Sequence, residues 1–231
     1  MTTVENVKKN NIISDLETLD YENIKFERTT CKVPDSKDHT YERINISLND
    51  GDELNSDLLI EVDCFSFGVS LAPNFKHNSL VSRKDLEFES YSFPISLYKD
   101  EPTEKQQKFI DSFQKLCKHI IKYVNTEHLL VDSFNVMNLE KLNPLRDGKN
   151  VIYPKLIMNR NKDKILTLFT GKNGEEIDGF KLKNMFCNCT VLLKIEYVYV
   201  SKITNEMSLV IKLREAIVEP VEEKIKPMLR R

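Results

Sequence analysis

Between residues 103 and 124 the hydrophobic period of this chain changes from two to 3.6, and that change limits the available folds more than any other feature. Phe109, Ile110, Phe113, Leu116, Cys117, Ile120, Ile121 and Val124 fall on one helical face. Thr103, with Gln106 three residues on, matches a capping box, and Pro102 keeps the chain from becoming helical earlier. Lys105, Lys108, Lys115, Lys118 and Lys122 lie opposite, which is most simply a solvated face. So amphipathic a helix must cover something apolar.

The flanking segments supply it. "YERINISL", "DLLIEVDCFSFGV" (interrupted at Gly68) and "LEFESYSFPISLY" read as strands before the helix. After a connection containing Pro144 and Gly148, "VIYPKLIM", "KILTLFT", "TVLLKIEYVYV" and "MSLVIKLREAIV" read as strands behind it, with "GKNGEEIDG" as a glycine-bearing turn. Residues 1–40 are polar and broken, and read as an arm or extension; residues 221–231 read as a short basic tail. No β/α alternation or internal repeat is visible, so a Rossmann-type sheet is excluded. The expected class is mainly β with one prominent helix (α+β): an OB-fold-like, partly open barrel over residues 41–220 with an N-terminal extension. Three strands before the helix would place it between the third and fourth barrel strands.

Chemistry is thinly signalled. The chain has no GxxxxGK[ST] loop, no GxSxG elbow and no HExxH pair. His39, His77, His119 and His128 are dispersed, and His119 is expected to be solvent-exposed among lysines. Cys31, Cys64, Cys117, Cys187 and Cys189 are an odd set without a secreted-type framework or zinc-ligand spacing, and read as free thiols in or near a core. Glu175, Glu176 and Asp178 read as a solvated turn. A non-enzymatic protein without cofactor or metal is expected. No run of eighteen apolar residues and no secretory leader is present in the sequence, so an intracellular, non-membrane protein is expected.

Binding features are richer. Residues 1–150 carry 19 Lys and Arg against 26 Asp and Glu, whereas residues 151–231 carry 15 against 10. A basic β region permits polyanion binding. Single-strand binding needs cations along the phosphates and aromatic faces for the bases. Lys155, Arg160, Lys162, Lys164, Lys194, Lys212 and Arg214 are the candidate phosphate contacts; Tyr153, Phe169, Tyr197 and Tyr199 are the candidate stacking groups, with Phe180 and Phe186 also available. Lys212 and Arg214 share one face of the last strand, opposite Leu209, Ile211 and Leu213. Strict alternation would put Tyr197 and Tyr199 on the face of Val191, Leu193 and Ile195, where burial explains them equally well.

Taken together, "SDLLIEVDCFSFGVSLAPN", "LEFESYSFPISL", the helix, "NVIYPKLIMNRNKDKILTLFT" and "MSLVIKLREAIV" resemble the single-stranded DNA-binding proteins of nucleocytoplasmic large DNA viruses, over roughly residues 57–219. The resemblance rests on Phe67-Gly68 after an apolar strand, on Tyr153-Pro154-Lys155, and on the ending around Ser208, Leu209, Lys212, Leu213, Glu215 and Ala216. It implies an OB-fold that coats single-stranded DNA in viral replication, recombination and repair, with self-association on DNA and replication proteins as partners. It carries over Tyr153, Lys155, Lys212 and Arg214 as contacts, and a host-cytoplasmic, viral-factory or virion location. The ending "VEEKIKPMLRR" departs from the acidic tails of many single-strand binders, leaving Asp50, Asp52, Glu53 and Asp57 as the substitute partner-recruiting stretch. Two alternatives stand beside this: a virion structural or interaction protein with a β-barrel core, and an RNA-binding OB-fold protein.

Overall fold

The computed structural model describes residues 12–32, 40–49, 55–71, 91–126, 136–161, 163–201 and 206–221. Its strands in chain order are β1 (Ile12–Ile13), β2 (Ile24–Lys32), β3 (Thr40–Leu48), β4 (Ser56–Ser66), β5 (Ser70–Leu71), β6 (Tyr91–Ser92), β7 (Ile95–Ser96), β8 (Val151–Ile152), β9 (Lys155–Leu156), β10 (Leu168–Gly171), β11 (Cys187–Ser201) and β12 (Glu206–Pro220); α1 (Glu104–Thr126) lies between β7 and β8. The protein is mainly β with this one long helix, in the arrangement of a partly open OB-like barrel.

Two prolines explain the short strands. Ser92 pairs with Lys155, and Ile95 and Ser96 pair with Ile152 and Val151, all in one antiparallel register. Residues 91–96 and 151–156 are therefore a single ribbon interrupted at Pro94 and Pro154, which have no N–H for a ladder. The Phe93 amide still reaches the Pro154 carbonyl at 3.0 Å. Through this ribbon runs a circuit. β4 pairs with β7, β9 pairs in parallel with β12, β12 pairs with β11, and β11 pairs back along β4. The proline-broken ribbon leaves the barrel partly open.

The interior is continuous. Ile60, Phe93, Ile95, Leu156, Leu193 and Leu213 are buried inside the circuit, and α1 adds Ile110, Phe113, Leu116, Cys117, Ile120 and Val124 to the same core. The capping box forms as its residues predict: the Thr103 amide donates to Gln106 Oε1 at 2.8 Å, and the Gln106 amide donates to Thr103 Oγ1 at 3.3 Å.

Three expectations are corrected. Residues 12–32 are structured: β1 pairs with β4, Leu16 is buried, and β2 pairs with β3 from Ile24–Leu48 to Lys32–Thr40. Ile24 and Phe26 on β2 provide the apolar face that a polar arm lacks, and Phe26 stacks on Tyr123 of α1 at 3.9 Å. The helix falls between the second and third strands of the circuit, because β3 joins the end of β11 and spends its full length on β2. His119 is half-buried beside Tyr21 and Phe26, and burial lowers its pKa. Of the remaining expectations, the start of the third predicted strand, residues 86–90, and the tail at 222–231 lie outside the described residues.

Candidate nucleic-acid interface

The outer wall of the barrel is set by two β-bulges. The β11–β12 register shifts between Leu192 and Leu193, leaving Arg214 as the extra residue, and again between Ile195 and Tyr197, leaving Glu196. The second shift turns Tyr197 and Tyr199 over. Val198 and Val200 take the buried side, and both tyrosines move to the outer face with Lys194, where alternation alone had aligned them with Ile195. There Arg43 of β3 lies over the Tyr197 ring at 3.8 Å and Tyr41 meets Tyr199 at 5.2 Å.

Three of the predicted cations converge. Lys155 is opposite Lys212, and Lys212 is opposite Lys194, so one lysine from each of β9, β12 and β11 forms a row across the sheet. Neighbouring strands are ~4.8 Å apart, so the row spans about 10 Å at the backbone. Like charges directly opposite one another are unfavourable by roughly 0.2–1 kcal/mol per pair. Carboxylates offset part of this. Lys194 pairs with Asp57 at 2.7 Å, and Lys212 donates to Glu196 Oε1 at 2.8 Å. Glu196 Oε2 is buried without a hydrogen-bond partner among the described residues. Lys155 forms no ion pair among the described residues. Although Lys155 is exposed as a residue, protein atoms crowd its ammonium, and this desolvation, followed by the charge of Lys212, lowers its pKa.

The other predicted residues divide. Tyr153, 58% exposed, precedes Lys155 by two positions on the same extended segment. Arg214 is exposed at its bulge. Arg160 and Lys164 are exposed on the turn that Asn159 holds, its Oδ1 accepting from the amides of Asp163 and Lys164 at 3.1 Å. Lys162 lies outside the described residues. Phe169 is not a surface ring: it is 1% exposed, packs on Phe93 at 5.3 Å, and belongs to the core because β10 docks beside β12. Asp57 of the acidic stretch is spent on Lys194, while Asp50, Asp52 and Glu53 lie outside the described residues.

Phe65 and Phe67 are not among the predicted stacking groups, although Phe67-Gly68 carries part of the resemblance. Phe65 stacks on Phe186 at 5.9 Å with 15° between planes, and Phe67 meets Phe65 edge-on at 5.7 Å. The alternation of "DCFSFG" was visible, since it sets Phe65 and Phe67 apart from the buried Ser66. What was not visible is that their side faces outward.

The arrangement is a row of three lysines on the outer face of the sheet, with the exposed Tyr153 ring two residues before Lys155. Among the described residues no group of three His, Cys, Asp or Glu is placed to hold a metal ion, and no helix is long and apolar enough to cross a membrane. Fold and wall thus define an OB-like barrel protein with a cross-strand lysine row on its outer face. The chain belongs to the family described as "Protein of unknown function (DUF2738)", whose model matches residues 24–230. Comparison with curated proteins finds no match.

Proposed function

We propose that this protein binds single-stranded nucleic acid, single-stranded DNA foremost, without sequence preference and without turnover. The observation that carries the reading is the row Lys155, Lys212 and Lys194. Asp57 and Glu196 offset only part of the repulsion in this row, and a phosphate backbone laid across it would relieve the rest and release counterions. Tyr153 beside Lys155 offers an exposed ring at the edge of the row. The resemblance to single-stranded DNA-binding proteins of large DNA viruses supports a place in viral replication, recombination and repair, and hence in the host cytoplasm or viral factory. Fluorescence anisotropy with labelled oligo(dT), oligo(U) and duplex DNA at low salt tests this. Binding of oligo(dT) in preference to duplex is expected; no shift with any strand would end the proposal, and preference for oligo(U) would make RNA the ligand.

A second reading, an interaction or virion structural protein, draws on the exposed Leu166, Leu168 and Ile217 around the β10–β12 edge. It predicts self-association that persists at high salt, which sedimentation velocity at two salt concentrations would detect.

A further inference from the structure

Three phenylalanines stand together outside the core. Phe65, Phe67 and Phe186 make ring contacts at 5.7, 5.9 and 6.0 Å, and none belongs to the buried cluster that fills the barrel. Phe67 is 41% exposed, and Phe65 and Phe186 are half-buried. Single exposed apolar residues need no explanation, but a cluster of three rings does, because each forgoes much of the roughly 1.5–3 kcal/mol that full burial would bring.

Strand register ties the cluster to the lysine row. Phe65 opposes Ser96, and the Phe67 amide donates to the Pro94 carbonyl at 3.2 Å, so Phe67 sits level with Pro94. In the ribbon of residues 91–96 and 151–156, Pro94 is level with Tyr153. Phe67, Pro94 and Tyr153 therefore occupy one level of three adjacent strands, about 10 Å from first to last. Lys155 follows Tyr153 by two residues, about 7 Å further along the same face. At the other end Lys99 Nζ lies 4.1 Å from the Phe65 ring centroid, putting a cation at the cluster itself. Aromatic rings with a cation beside them, continuous with a row of lysines, match the alternation of bases and phosphates in a single strand.

We propose that Phe65, Phe67 and Phe186, with Tyr153 across Pro94, form a platform on which bases of the bound strand stack while its phosphates pass to Lys155, Lys212 and Lys194. The inference rests on the single-strand reading and adds where the bases go. It also orders the path: bases at the β4 end of the barrel, phosphates toward the middle of β12.

The chain contains no tryptophan, so Phe67→Trp installs a sole reporter in the full-length protein. Adding oligo(dT) should quench its emission with the same midpoint as the anisotropy change. An abasic oligonucleotide of equal length should shift anisotropy more weakly and leave emission unchanged. Phe67→Ala should weaken oligo(dT) binding by about tenfold at unchanged salt slope, and Phe67→Tyr should bind as wild type. Oligo(dT) binding with unaltered tryptophan emission, and with Phe67→Ala as tight as wild type, would overturn the platform and leave the lysine row standing. No anisotropy change even with the wild-type protein would overturn both.

Discussion

Lys155 is the residue on which stability and binding pull apart. Its pKa is lowered in the folded protein, first by crowding and then by Lys212, whereas the unfolded chain keeps the ordinary 10.5. The charged ammonium therefore opposes folding at all pH values below the lowered pKa, and that opposition fades as pH rises from there toward 10.5. Replacing Lys155 with Met should raise the urea midpoint at neutral pH, by up to about 1 kcal/mol of stability from the lost Lys212 repulsion, while weakening oligo(dT) binding. A variant that loses both stability and binding would assign Lys155 a packing role instead. Glu196 makes the complementary case. It holds Lys212 at 2.8 Å with one oxygen and leaves the other without a hydrogen bond among the described residues. Glu196→Gln removes a charge that competes with phosphate, so anisotropy should show several-fold tighter oligo(dT) binding. Looser binding would mean that Glu196 positions Lys212 rather than competing for it. The lysines were legible in the sequence as a basic region, but their alignment was not, since register between distant strands leaves no local mark. Nor was the turnover of Tyr197 and Tyr199, which depends on one bulge at Glu196.

Elements were readable where the signal is local and lost where it is not. α1 announced itself by period, by Thr103 and Gln106, and by Pro102, and the structure runs it from Glu104 to Thr126. Thr103→Ala breaks both capping hydrogen bonds that involve the threonine side chain and should reduce stability by about 1 kcal/mol in chemical denaturation; no change would mean that Gln106 alone satisfies the helix start. β2 was hidden by its charge. Lys25, Glu27 and Arg28 made a strand edge look like an arm, although Ile24 and Phe26 carry the face that meets α1. Gly68 interrupts the strand pattern of the sequence for a specific reason: its φ is +80°, and a Cβ there would lie 2.3 Å from the Leu182 carbonyl oxygen. Gly174 has a similar φ of +85° with open space around it. Alanine at either position bears the left-handed penalty of roughly 1–2 kcal/mol, but Gly68→Ala must also displace backbone. Its melting temperature should therefore fall well below that of Gly174→Ala, and equal losses would show that the chain around Leu182 yields easily.

At the scale of the whole molecule, the circuit of β4, the proline-broken ribbon, β12 and β11 turns sequence-distant residues into one wall. The two halves of the chain differ in charge, yet the fold does not keep them apart. Asp57 from the acidic half neutralises Lys194 from the basic half, and Asp63 accepts a hydrogen bond from Thr190 Oγ1 at 2.7 Å. The basic region read from sequence is therefore a narrower row than composition suggested, with Lys155 its cation that has no carboxylate partner among the described residues. That narrowing gives the central claim a sharp test. The dependence of oligo(dT) affinity on salt should be measured for the wild type and for the Lys155→Ala, Lys212→Ala double variant. For single strands each phosphate contact contributes about 0.7 to the slope of log affinity against log salt. The double variant should lose about 1.4 from that slope while keeping the wild-type fold by circular dichroism. An unchanged slope in a folded double variant would contradict the lysine row as the phosphate site.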